Sequence, residues 1–148
     1  MRLSTKGRYG LRAMLDLALH RDEGPSAIYL VAEREGISDR YLEQIMTALK
    51  RAGLVKSIRG PQGGYALTRE PGEITVGQII RALEGPIAPV DCVSEEHPEQ
   101  CQRADRCITR MLWAKVRDSI AGVLDSYSLE DLIQEWKQAQ SGSSGAAK

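Results

Sequence analysis

The sequence has no uninterrupted apolar run approaching the roughly 18 residues that a membrane span requires, so no membrane association is expected. It also lacks a secretory signal, because the opening Met1-Arg2-Leu3-Ser4-Thr5-Lys6-Gly7-Arg8 has no apolar centre. These two absences predict a cytoplasmic protein. Net charge is missing too, with 20 Lys and Arg matched by 20 Asp and Glu. Cysteine is scarce and odd in number. The three thiols, Cys92, Cys101 and Cys107, cannot all pair within one chain, and in a reducing compartment they read as thiols or ligands rather than structural disulfides.

What is present bounds the size of the fold. A chain of 148 residues accommodates one compact domain, or a small module with a helical extension, and excludes two large domains. Its 42% hydrophobic and 27% charged residues support a core and a polar surface. The zero net charge conceals an asymmetry: residues 1–70 hold 12 Lys/Arg against 8 Asp/Glu, a balance of +4, and residues 71–148 hold 8 against 12, a balance of −4. A basic front half is compatible with a phosphate-binding surface.

Periodicity then orders the front half. Leu11, Met14, Leu15, Ala18 and Leu19 form the stripe of an amphipathic helix from about Ser4 to His20. After the turn-rich Asp22-Glu23-Gly24-Pro25-Ser26, residues Ile28 to Glu35 predict a short helix closed by Gly36. Ser38 is a natural N-cap for a third helix, Asp39 to Arg51, with Tyr41, Leu42, Ile45, Met46 and Leu49 inward and Arg40, Glu43, Gln44, Thr47, Lys50 and Arg51 outward. Two short helices joined by a tight glycine turn, the second polar on its outer face, have the shape of a helix-turn-helix. Two strand patterns follow, Leu54 to Arg59 and Tyr65 to Thr68, around the tip Gly60-Pro61-Gln62-Gly63-Gly64. In that position a hairpin carrying Lys56 and Arg59 reads as a wing lying on the DNA backbone or minor groove, with small tip residues permitting close approach. Arg2, Lys6, Arg8 and Arg12 are further candidate phosphate contacts.

The back half is divided differently. Thr75 to Glu84 predicts a short helix with Val76, Ile79, Ile80 and Leu83 inward, and Gly85 to Arg106 has no sustained period. From about Asp105 to Leu124 the stripe Ile108, Met111, Leu112, Val116, Ile120 and Val123 predicts a helix longer than this small core needs, hence a dimerisation helix. Ser128 caps a last helix, Leu129 to Gln138, with Leu132, Ile133 and Trp136 near the dimer seam. The expected organisation is a winged helix-turn-helix over 1–72, a connecting helix and loop over 73–90, a cysteine loop over 91–107, dimerisation helices over 105–140 and a flexible tail over 141–148. The fold class is mainly α, with a two-stranded wing. Double-stranded DNA and a second copy of the chain are the expected partners. No histidine–aspartate arrangement serves a cysteine nucleophile beyond Cys107 itself, so neither an enzyme nor a small-molecule substrate is expected.

Several motifs together carry a resemblance: Arg2-Leu3-Ser4-Thr5-Lys6-Gly7-Arg8-Tyr9, Ile37-Ser38, Tyr41-Leu42-Glu43-Gln44-Ile45, and Val55 through Arg59-Gly60-Pro61 to Gly63-Gly64-Tyr65. Through about Leu132 the chain resembles the IscR-like winged-helix regulators of the Rrf2 family. The resemblance implies a dimeric repressor that senses iron-sulfur status, controls cluster-assembly genes and holds an iron-sulfur cluster, usually 2Fe-2S, in its cysteine loop. It implies that Ser38, Glu43 and Gln44 face bases or phosphates and that Arg59, Gly60 and Pro61 belong to the wing; Tyr41 and Gly63 complete the two motifs. Arg40 departs from the small polar residue of the best-known branch, in which the counterpart of Glu43 separates cluster-bound from cluster-free operator choice. The same fold and loop also admit an alternative, regulation of cysteine metabolism or of a nitric oxide or redox response.

Cys92 and Cys101 are separated by eight residues and Cys101 and Cys107 by five, unlike the tight spacing of a zinc ribbon. A loop can nonetheless wrap soft thiolates around a cluster, and the start of the long helix favours the Cys107 thiolate. The resembling branch carries a histidine ligand three residues after the last cysteine, where this chain has Arg110. His97 is the best substitute by chemistry; Asp91, Glu95, Glu96, Glu99, Asp105 or a residue of the other subunit could also act.

Overall fold

The computed structural model describes residues 2–96, 98 and 100–146. It is mainly helical, with one two-stranded antiparallel sheet. Helix α1 (Thr5–Leu19) begins at Ser4, whose Oγ accepts from the Gly7 amide at 3.1 Å. Helix α2 (Ile28–Glu35) ends at Gly36, where φ is 65°, a left-handed conformation that a side chain would strain. That single residue turns the chain into α3 (Asp39–Arg51), capped by Ser38. Strands β1 (Val55–Ile58) and β2 (Gly64–Leu67) pair in the register Val55 with Leu67 and Ile58 with Gly64. Helix α4 (Val76–Glu84) opens with a capping box between Thr75 and Gln78. Helices α5 (Ile108–Ser126) and α6 (Leu129–Ala146) complete the chain. Among the described residues no helix is long and apolar enough to cross a membrane.

One core joins α1, α2, α3, β1, α4 and the start of α6. The α3 stripe is as expected: Leu42, Ile45, Met46 and Leu49 are fully buried and Tyr41 packs partly against them. The α1 stripe is rotated from its expected position. Ala13, Met14, Leu17 and Ala18 are buried, Leu11 and Leu15 only partly so, and Leu19 is 47% exposed. The rotation arises because α4 presses on α1 closely enough that a methyl at Gly10 would overlap the Leu83 side chain. The rotated face also buries Asp16, which is 4% exposed and held by Arg34 of α2 through Nη2–Oδ1 at 2.6 Å and Nε–Oδ2 at 3.0 Å. A buried carboxylate gripped by a two-pronged guanidinium is satisfied, and the same contact raises the Arg34 pKa.

The last two helices relate to the head differently. Helix α5 starts at Ile108, preceded by Cys107 in extended conformation with no side-chain capping bond, and none of its residues is buried. The beginning of α6 belongs to the head: Leu129 and Ile133 enter the core, the Leu129 amide donates to Ile74 O at 3.0 Å, and the Val76 amide donates to Tyr127 O at 2.9 Å. The expected exit of α6 at Gln138 is corrected, since the helix runs on to Ala146 through the segment read as a flexible tail. Once a helix is nucleated each added residue closes a further backbone bond, which offsets the cost of Gly142. Residues 147 and 148 lie outside the described residues.

Candidate nucleic-acid interface and cysteine loop

Arg40, Glu43 and Gln44 of α3 are exposed, as are Arg59, Gly60, Pro61 and Gln62 at the wing tip. Neither Gln44 nor Arg59 is consumed by the core, so a polar helix face and a cationic ribbon tip both remain at the surface. Lys50 near the end of α3 donates to Ser57 Oγ of β1 at 2.9 Å, which ties the helix to the wing. Ser38 caps the helix, because its Oγ accepts from the Tyr41 amide at 3.2 Å. The Tyr41 ring meets Tyr9 edge-on, with centroids 6.1 Å apart, so its body packs α3 against α1.

The glycine tip has an internal reason that the sequence did not reveal. A methyl at Gly63 would overlap the Ile58 carbonyl, and one at Gly64 would overlap the Ser26 carbonyl. Ser26 and Tyr65 exchange two backbone hydrogen bonds of 2.9 Å, adding a short third rung to the hairpin. Close approach at Gly63 is within the wing, and at Gly64 it is of the wing to its own head. At the other end of α1, Arg2 is exposed beside a cavity of about 300 Å³ also bordered by Ile80, Glu84, Ile120 and Leu124, and Lys6 is half-buried. Arg12 pairs with Glu35, its Nε to Oε1 at 3.2 Å, and lies over the Tyr9 ring.

The cysteines are divided. Cys92 sits half-buried in a short 3-10 turn, Asp91–Val93, and borders a cavity of about 600 Å³ together with Cys101 and Asp91. Cys107 borders a different cavity, of about 290 Å³, with Val93, Arg110 and Arg117. Its sulfur lies 3.2 Å from Thr109 Oγ1. That contact, the Arg110 backbone amide and the charge of Arg103 together lower the thiol's pKa. Arg110 does stand one turn along α5, with a buried Nε that has no hydrogen-bond partner. Three thiols are chemically suited to an iron-sulfur cluster, but among the described residues no group of three His, Cys, Asp or Glu is gathered closely enough to hold a metal. His97 and Glu99 lie outside the described residues. Glu95, counted among the substitute ligands, is otherwise engaged: Oε1 accepts from Arg81 Nη2 at 2.7 Å, and Oε2 accepts from Arg81 Nε and the Ile87 amide, each at 2.9 Å.

A model of the Rrf2 family, described as iron-dependent transcriptional regulators, matches residues 3–135. The chain belongs to the Rrf2 family. Among relatives, the HTH-type transcriptional regulator CymR of Bacillus subtilis is 49% identical over 132 residues, which is 89% of each chain. The regulator IscR of Photorhabdus laumondii is 47% identical over 133 residues, covering 90% of this chain and 79% of that protein. Two solved structures share the fold. CymR, described as the global cysteine regulator of B. subtilis, gives a TM-score of 0.75 at 48% identity over 91% of this chain and 98% of its own. T. potens IscR gives 0.77 at 46% identity over 95% and 91%. This Rrf2 protein is therefore a DNA-binding transcription regulator with a winged-helix fold, and its relatives are regulators rather than enzymes.

Proposed function

We propose that this regulator acts as a homodimeric repressor whose α3 face and wing read duplex DNA and whose cysteine loop is the sensor. The observation that carries the reading is the exposure of Arg40, Glu43, Gln44 and Arg59 beside a core that makes no use of them. Glu43 and Gln44 face base edges, Ser38 sets the start of the helix, and Arg59 with Gly60, Pro61 and Gly63 presents the wing to phosphates. Arg2 and Lys6 add phosphate contacts from the start of α1. A second copy covers α5, whose Ile108, Met111 and Val123 are 85%, 66% and 59% exposed, an apolar stripe that one chain leaves wet.

The sensing chemistry follows from the three thiols. Cys92, Cys101 and Cys107 would supply thiolate ligands to a 2Fe-2S cluster, and the fourth would come from His97, from Asp91, Glu96, Glu99 or Asp105, or from the other subunit. The bound cluster would report iron-sulfur status and set expression of cluster-assembly genes. The identity to CymR favours a second reading, in which the same loop serves regulation of cysteine metabolism or a redox response. Anaerobic reconstitution decides between them. The cluster reading predicts sulfur-to-iron absorption in the visible range that Cys→Ser at 92, 101 or 107 abolishes, together with a footprint on the chain's own upstream DNA that changes with loading. Protein that stays colourless after iron and sulfide addition, yet binds that DNA in a thiol-dependent way, overturns the cluster reading in favour of the second.

A further inference from the structure

One guanidinium joins three parts of the molecule. Arg81 of α4 donates twice to Glu95 of the cysteine loop, at 2.7 and 2.9 Å. It also donates twice to Asp125 near the end of α5, at 2.6 and 3.0 Å. Glu95 has a second anchor on the Ile87 amide, and Arg117 of α5 donates to Val93 O at 3.1 Å, which places another tether one residue from Cys92. The fit is tight on the α4 side: a methyl at Gly77 would overlap the Asp125 carboxylate. Arg81 itself sits on a helix whose Ile79 and Leu83 enter the head's core and which packs on both α1 and α3.

We infer that Arg81 is a positioning residue that couples the cysteine loop to the DNA-reading head. In the loop between α4 and α5 Ile87 and Val93 are buried, and the Arg81 junction adds the oriented polar contact that holds Glu95 against α4 and α5. Planar two-pronged pairing fixes both distance and orientation, whereas a single-point contact would let the loop swing. A change at Cys92 that displaces Glu95 therefore pulls on α4 and, through α4, on the seat of α3. Linkage requires the reverse effect with the same free energy: DNA held by α3 must alter the loop. The inference rests on the reading of the loop as the sensor, and it assigns the path by which the signal leaves it.

The test uses the full-length, metal-free, reduced chain and follows alkylation of each cysteine by mass spectrometry, with and without saturating duplex from its own upstream region. Retention of the duplex is checked in parallel by mobility shift. In the wild type, duplex changes the Cys92 rate several-fold. In Arg81→Gln, and independently in Glu95→Gln, which leaves the Arg81–Asp125 arm intact, the free-protein Cys92 rate rises several-fold and no longer responds to duplex. The rate at exposed Cys101 serves as the internal reference, and an unchanged helical circular-dichroism signal shows that the variants fold. A Cys92 rate equal in wild type and variants, or one indifferent to duplex in the wild type, or one still responsive in both variants, overturns the coupling. Failure of the wild type to retain any duplex both metal-free and after reconstitution with iron and sulfide overturns instead the DNA-reading assignment on which the coupling depends.

Discussion

Helices α3 and α5 have similar chemistry in sequence and opposite situations in the fold. In α3 every strongly apolar residue is buried and the polar ones face outward, so the helix is complete within one chain. In α5 none is buried, and Ile108, Met111, Leu112 and Val123 remain in water. The same rule, apolar residues repeating at three and four, thus marks two different things: a face already covered, and a face awaiting cover. Length separates them, since α5 spans 19 residues and α3 spans 13 on a head too small to cover both.

The contrast breaks most readily at the head. Leu42→Ala removes a fully buried side chain and should cost about 2–5 kcal/mol, seen as a lower denaturant midpoint at every protein concentration. Arg34→Ala leaves the buried Asp16 carboxylate without its partner at the α1–α2 contact and should cost on the order of 3 kcal/mol by the same measurement. Met111→Glu on α5 should behave differently: sedimentation should show monomers, while the helical signal of the monomer stays intact. Equal losses of monomer stability from Leu42→Ala and Met111→Glu would erase the distinction between the two helices. At the surface, Gln44→Ala should lower operator affinity by about 1–3 kcal/mol and relax sequence preference, and Arg59→Ala should weaken all duplexes alike.

The smallest effect concerns pH. Paired with Arg81 and the Ile87 amide, Glu95 has its pKa lowered from 4.5 to about 2. A depressed carboxylate stabilises the fold above its unfolded value, so this contribution is complete above pH 4.5 and is lost as pH falls through about 2. Solvent reaches the pair, which limits the contribution to on the order of 1 kcal/mol. Urea midpoints between pH 5 and pH 2.5 should fall less in Glu95→Gln than in the wild type.

Much of the head was legible because its signals are local. Gly36 and Ser38 announce the helix-turn-helix by backbone conformation and capping, and the boundaries of α2 and α3 match those read from the sequence. What was not legible depends on residues far apart in the chain. Nothing near Asp16 marks it for burial, because its partner Arg34 is 18 positions away. The orientation of α1 is fixed by Leu83 against Gly10, and the role of Gly64 by the Ser26 carbonyl. At the site, the outward residues of α3 and the wing could be read from periodicity, but the occupation of Glu95 by Arg81 could not, since no spacing rule links a loop carboxylate to a preceding helix and a later one.

On this reading, exposed α3 and wing side chains meet duplex phosphates and base edges. Titrating affinity for the chain's own upstream DNA against salt concentration tests it most directly, because each neutralised phosphate adds to the slope of log affinity on log salt. The expected result is a steep negative slope that becomes shallower by about 1 in Arg59→Ala. Binding that is indifferent to salt, or a slope that Arg59→Ala leaves unchanged, would contradict it.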